Sequence, residues 1–220
     1  MGRTVTLCYS SSAAGNTARL LEAFLRGAER GGDDVESFAV KDLAISPCTG
    51  ELHCWEEVPG ECYIQDDMRK IYAALRHAKT LVLATPVYIP LPGEMQNCLN
   101  RLCPILDPQL VTRRGRTRAR MRASVPIERI VLVATSGWWE LGNFDTVLRI
   151  AAELAEDASI PLVGAVLRPH AHLALSAKGK PEEILSAAER AGFELATTGT
   201  ISEEALSLVS QPVVRQEDYR

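Results

Sequence analysis

Residues 10–17, SSSAAGNT, place small hydroxyl side chains and a glycine directly before a helical pattern. The first N–H groups of a helix have no partner within it, and the helix dipole favours negative charge there, so such a stretch can grip an anion. It is not G-x-G-x-x-G, and it lacks the lysine of G-x-x-x-x-G-K-[ST], which disfavours ATP chemistry. Without a cation, a terminal phosphate monoester held by N–H and O–H donors suits it better. An ordinary capped turn is the alternative.

Two further loops have unusual chemistry. In TPVYIPLPGEMQNCLNR (85–101) prolines fix the backbone and leave Val87, Tyr88 and Ile89 at a strand end. A rigid apolar loop with one aromatic suits a flat ring system, or burial against a neighbouring subunit. In TSGWWELGNF (135–144) two adjacent tryptophans cannot both enter one core, so one is expected to line a pocket or an interface unless both pack at an edge.

Cysteine supplies a different chemistry. PCTGELHCW (47–55) is followed by Cys62, so Cys48, Cys54 and Cys62 cluster in one loop. Iron–sulfur, zinc and packing readings are all open to three thiols, although a fourth thiolate is missing for a four-iron cluster. Cys8, Cys98 and Cys103 fall on or beside predicted elements and read as small buried hydrophobes. The expectation is no metal, with the loop packed.

The elements that position these loops alternate. Strand-like runs cover 4–9, 34–40, 80–85, 129–135 and 161–167. Between and after them lie helical patterns: Leu20, Leu21, Phe24 and Ala28 on one face, Met68, Ile71, Tyr72 and Leu75 on another behind Asp66 and Asp67, then 93–102, 143–157, 181–191 and 202–209. Strands alternating with helices indicate a parallel sheet covered on both faces. The expected fold is α/β, a flavodoxin-like three-layer open sheet of five parallel strands in order 2-1-3-4-5. Ligands then bind beyond the carboxyl ends of the strands, where strand order reverses. The loops after strands one, three and four meet there. A phosphate cradle and two ring-contacting loops at one sheet edge describe an FMN site.

Residue types and order here resemble the flavodoxin-like NAD(P)H-dependent FMN reductases, particularly the iron–sulfur flavoprotein branch. The resemblance rests on SSSAAGNTARLLEAFLRGA, PCTG…C…C…DDM, ATPVY with a helix ending NR, TSGWWELGNFD and GAVLRPHA, and covers most of residues 1–172. It implies a phosphate loop of Ser10, Ser12, Gly15, Asn16 and Thr17. It implies an isoalloxazine loop of Pro86, Val87, Tyr88 and Ile89, and a third flavin loop of Thr135, Ser136, Gly137 and Trp138. The chain departs from the family at Ser12, where arginine is common, and at Ile89, where an aromatic or polar residue is usual. Glu51 stands where the branch has its second cluster cysteine.

On this reading residues 1–172 are the FMN-binding domain, and 173–220 are a C-terminal helical extension packing on the same domain. The activity implied is hydride transfer from NAD(P)H to FMN and onward to a quinone, a nitro or azo compound or another small acceptor. An electron carrier serving a protein partner and a flavin-binding regulatory module are the alternatives. No catalytic side chain is required, because the cofactor carries the chemistry. A homodimer or tetramer is expected, since an apolar flavin edge needs a cover.

Composition narrows the rest. Of 220 residues 46% are hydrophobic and 24% charged, ordinary for a globular chain with a core. A net charge of −4 argues against nucleic-acid and anionic-membrane partners. The N-terminus runs into a strand without an apolar signal core, which makes the cytoplasm the expected location. RRGRTRARMR (113–122) reads as a solvated connection, or an arm pairing with carboxylates of another subunit, rather than a nucleic-acid patch. His170 and His172 alternate as metal ligands can, but with no third ligand nearby they read as polar edge residues or as residues that contact a substrate indirectly.

Overall fold

The structure is a computed structural model that describes residues 2–176 and 180–219. In chain order the elements are β1 (Arg3–Cys8), α1 (Asn16–Arg30), β2 (Asp34–Ala39), α2 (His53–Glu56), α3 (Met68–Leu75), β3 (Thr80–Pro86), α4 (Gly93–Asn100), β4 (Leu106–Arg113) and β5 (Arg116–Met121). There follow β6 (Arg129–Thr135), α5 (Asp145–Ala158), β7 (Leu162–Arg168), α6 (Ala171–Ala174), α7 (Pro181–Thr198), α8 (Glu203–Ser210) and α9 (Gln216–Tyr219).

Five parallel strands form one sheet in the order β2-β1-β3-β6-β7. The hairpin β4–β5 lies outside it, so β6 and β7 are the sheet's fourth and fifth strands. Side chains alternate between faces along a strand, and both faces are apolar. Leu81 and Leu83 of β3 join Ile130 and Leu132 of β6 in a core with Ile71, Leu75, Met95 and Val147. Their neighbours Val82, Val131 and Val133 face the other way, onto Leu20 and Phe24 of α1 and Ala188 and Ala191 of α7. This two-sided burial is why the central strands read as unbroken apolar runs.

Helices α1 and α7 meet backbone to backbone. A Cβ on Gly27 would fall 1.8 Å from the Glu189 carbonyl oxygen, and one on Gly192 1.8 Å from that of Phe24. The glycine pair permits this close approach, and α7 runs on to Thr198, past the 191 expected from the helical pattern.

The arginine run forms a hairpin rather than a connection. Arg114 and Gly115 turn it, both with positive φ, as a two-residue hairpin loop requires. Arg118 is nearly buried and pairs with Glu153 at 2.6 Å and Asp157 at 3.2 Å, while Arg116 pairs with Glu153 at 2.8 Å. These carboxylates lie on α5, so Arg116 and Arg118 of the arm pair within their own chain. Among the described residues no helix is long and apolar enough to cross a membrane.

Candidate functional site

The parallel register carries the site. Pro86 at the end of β3 is paired with Thr135 at the end of β6, and the Val87 N–H donates to the Thr135 carbonyl at 2.8 Å. The Ser136 N–H reaches the Arg168 carbonyl at the end of β7, and the Ala171 N–H returns to the Ser136 carbonyl. The loops after β3, β6 and β7 are therefore stitched together by backbone bonds. The loop after β1 joins through a buried side-chain contact: the Thr17 and Thr135 hydroxyls lie 2.6 Å apart.

These loops enclose a cavity of about 160 Å³. Its lining takes Ser10, Asn16 and Thr17 from the loop after β1, Pro86, Val87 and Tyr88 from the loop after β3, and Thr135, Ser136 and Gly137 from the loop after β6. The remaining residues singled out in the sequence lie outside this lining. Gly15 is the N-cap of α1, and a Cβ there would fall 2.3 Å from Ser10 Oγ. Ser12 is exposed, with its carbonyl accepting from the Gly15 N–H. Ile89 points wholly into solvent. Trp138 lines a neighbouring cavity instead.

The anion-binding character is physical. No side chain caps the start of α1, and its first turn holds no acidic residue. Its leading N–H groups therefore face the cavity end without a competing carboxylate. Tyr88 stands edge-on to Tyr9, ring centres 6.2 Å apart, and stays half exposed at the mouth.

Sequence reasoning missed two participants, Ala171 and Tyr219, and singled out a third, His172, only as a polar edge residue or a contact to a substrate. His172 lines both cavities and Ala171 lines the first. Tyr219, on the last turn of the described chain, donates to the Gly137 carbonyl and sets its ring 5.7 Å from that of Trp139. The only available signal was the aromatic character of a residue near the chain end. His170 is buried and stacked on Trp139, with ring centres 4.4 Å apart. Burial first, then the Arg168 charge and His172, push its pKa down to about 4, so it is neutral.

Residues 3–127 match the family described as NADPH-dependent FMN reductase. The chain belongs to that family. Among similar proteins is an iron–sulfur flavoprotein of Archaeoglobus fulgidus, 29% identical over 103 residues, which make up 46% of each chain. The chain thus spans about half the length of the relatives it matches. In fold, this family member is similar to an NAD(P)H:quinone oxidoreductase from Methanothermobacter marburgensis (14% identity, TM-score 0.63, covering 88% of this chain and 96% of that one). It is also similar to an FMN-dependent NADH-azoreductase from Bacillus anthracis (13% identity, TM-score 0.56, covering 90% and 98%).

A four-iron cluster is normally held by four thiolates, and the cysteine loop of this family member supplies three. Cys48 is exposed, Cys54 buried and Cys62 half-buried, and the Glu51 carboxylate is taken up by the Thr49 hydroxyl. Among the described residues no three His, Cys, Asp or Glu side chains converge to hold a metal ion. Cys103 is the surprise: it comes close enough to Cys54 for the two thiols to interact, and burial pushes its own pKa up to about 12.

Proposed function

We propose that the chain binds one FMN and works as an NAD(P)H-dependent oxidoreductase with a small-molecule acceptor. The observation that carries this reading is the Thr17–Thr135 contact, which closes the phosphate-type loop onto the loops after β3 and β6 around one cavity. FMN fits the donor set. The open N-terminus of α1 with Ser10, Asn16 and Thr17 would hold the phosphate. Pro86, Val87, Tyr88 and residues 135–137 would flank the ring, and Gly137 leaves the ring's edge free of a side chain. The enclosed 160 Å³ is below the roughly 300–1,000 Å³ of a whole small-molecule site. It therefore suits the phosphate and the inner part of the cofactor, with the ring reaching out to the mouth beside half-exposed Tyr88.

When bound, FMN supplies a two-electron carrier between a nicotinamide and a second substrate. The chain's own part is positional. Backbone bonds between strand ends fix the loops, Tyr88 shields one side from water, and neutral His170 adds no charge under the site. With a quinone the overall exchange is NAD(P)H + H⁺ + quinone → NAD(P)⁺ + hydroquinone. The three-layer, flavodoxin-like order of the sheet supports the same reading, since ligands bind at its switch point. The test is the absorption spectrum of freshly purified protein, followed by NADPH and NADH oxidation with and without a quinone. Colourless protein that takes up no FMN overturns the proposal.

A second reading is an electron carrier to a protein partner. Bound flavin without nicotinamide turnover is its signature.

A further inference from the structure

Apart from the three-loop cavity, a cavity of about 240 Å³ lies against α3. Glu61, Cys62, Arg69, Tyr72 and Arg76 line it, and none of them lines the three-loop cavity.

Local structure brings these residues together. Arg69, Tyr72 and Arg76 recur at spacings of three and four, so they share one face of α3 and its C-terminal cap. Tyr72 is buried and its hydroxyl donates to the Arg101 carbonyl at 2.5 Å, so the phenol is already engaged and offers the cavity only its ring. The loop that carries Cys62 supplies the rest of the lining. Gly60 turns that loop with φ at +90°, a conformation glycine adopts without strain, and its N–H donates to the Cys54 carbonyl at 2.9 Å. Cys62 is thereby set half-buried against the core, in the same cavity as two exposed arginines.

The charge of this lining is unusual for the chain. It holds two guanidinium groups and one carboxylate, Glu61. Elsewhere exposed arginines are paired, as Arg116 is with Glu153 and Arg190 with Glu194 and Glu204. The acids before α3 are taken, Asp66 by Arg101 and Asp67 by Lys70. Among the described residues neither Arg69 nor Arg76 has an ion-pair partner. Guanidinium forks match carboxylates, so the pair is free to bind an anionic ligand. A thiol in the same lining adds covalent chemistry, because thiols exchange with disulfides.

We propose that Cys62 is a modification site, at which a small anionic disulfide is held by Arg69 and Arg76 and leaves one half of itself on the sulfur. Cys62 gives up its proton, its sulfur attacks one sulfur of the disulfide, the S–S bond breaks, and the departing thiolate takes a proton: Cys62–SH + RS–SR → Cys62–S–SR + RSH. Cys62 is oxidised, the leaving half is reduced, and a further thiol reverses the step. The arginines act on the carboxylates of R. The site shares no residue with the three-loop cavity and stands independently of the FMN reading.

Two symmetrical reagents of similar length test it, the anionic 3,3′-dithiodipropionate and the cationic cystamine. Each is incubated with reduced protein, and peptide mass mapping compares conjugation at Cys62 with that at Cys48, the exposed thiol of the same loop. The Cys62-to-Cys48 ratio cancels the intrinsic difference between the reagents. It should be at least tenfold higher with dithiodipropionate than with cystamine. Arg69→Gln with Arg76→Gln should cut this preference at least fivefold. Both arginines are exposed, so the double variant keeps the fold. Equal ratios with the two reagents, or an undiminished preference in the double variant, overturn the proposal.

Discussion

The guanidinium of Arg168 lies 3.0 Å from Nε2 of His170, and both side chains are almost wholly buried. Arginine only donates, so Nε2 accepts and the proton of the neutral ring sits on Nδ1. The rest of the guanidinium goes to the carbonyls of Pro169, Val209 and Gln211. Carbonyls at a helix C-terminus carry partial negative charge, so the end of α8 holds this cation. The pair ties α8 to the loop that bears His170 and, through its stack, Trp139.

This geometry has a pH consequence. The folded pKa of His170 is about 4, against an ordinary value near 6.5. Between these values the unfolded chain binds a proton that the folded chain refuses, so stability falls as pH drops through the window. Above about 6.5 the group makes no difference to the pH slope. The contribution approaches ~3 kcal/mol at the acid end. Urea midpoints at pH 7 and pH 5 should therefore differ less in His170→Gln than in the wild type. Equal slopes in the two proteins would remove the assignment.

The phosphate end makes a sharper demand. Replacing Asn16 and Thr17 together with glutamate puts two negative charges at the start of α1, where the helix dipole favours an anionic ligand. It also removes the Thr17–Thr135 contact. The double variant should purify with less than a tenth of the wild-type flavin, read from the ratio of visible to ultraviolet absorbance. Unchanged flavin content sinks the assignment.

Ile89 is fully exposed beside half-exposed Tyr88, and Trp138 after β6 is also largely exposed. An apolar rim of this kind around a site mouth suits a contact between subunits. Sedimentation at micromolar concentration should give a dimer or tetramer, and Ile89→Glu should shift it towards the 24.0 kDa chain. Wild-type protein that sediments only as a monomer speaks against it.

The parallel strands were legible because each is buried on both faces and reads as an apolar run. Hairpin β4–β5 was not. Its sequences LDPQLVTR and RTRARM are polar, and its docking rests on ion pairs with α5, whose carboxylates lie far along the chain. Gly192 looked like the end of a helix but serves close packing inside one. At the site, the loops after three strands could be read from composition and the switch-point rule. Tyr219 and Cys103 could not, because only the tertiary fold brings them to Trp139 and Cys54.

Asp66 illustrates the same limit. Its sequence position suggested a helix cap, and it does accept from the Met68 N–H. It also forms a buried two-point ion pair with Arg101 at 2.7 and 3.1 Å, and Arg101 donates to the Ser46 carbonyl. Burial alone would raise the Asp66 pKa, but Arg101 and the Ser46 and Met68 N–H groups hold it below the usual carboxylate range. Breaking such a pair from one side leaves a buried charge and costs about 3–5 kcal/mol. Arg101→Met should therefore destabilise the protein by that order, and Arg101→Met with Asp66→Asn by less. Chemical denaturation of the two variants reads the difference, and equal losses would mean the pair is not coupled.

The cysteine loop that this pair anchors is expected to hold no four-iron cluster. Such a cluster is normally bound by four thiolates. Here the loop supplies three, and its would-be fourth is Glu51, a harder ligand poorly matched to sulfide-bridged iron. Cys103 brings a fourth thiol near Cys54, and burial pushes the pKa of both upward, which favours protonated thiols over the thiolates a cluster needs. Trp55 locks the arrangement by donating from its indole to the Cys103 carbonyl at 3.1 Å. Protein purified without oxygen should contain well under one iron and one acid-labile sulfide per chain, and Cys54→Ser should leave the visible spectrum unchanged. About four irons per chain, with broad absorption lost in Cys54→Ser, would show that the loop rearranges to bind a cluster.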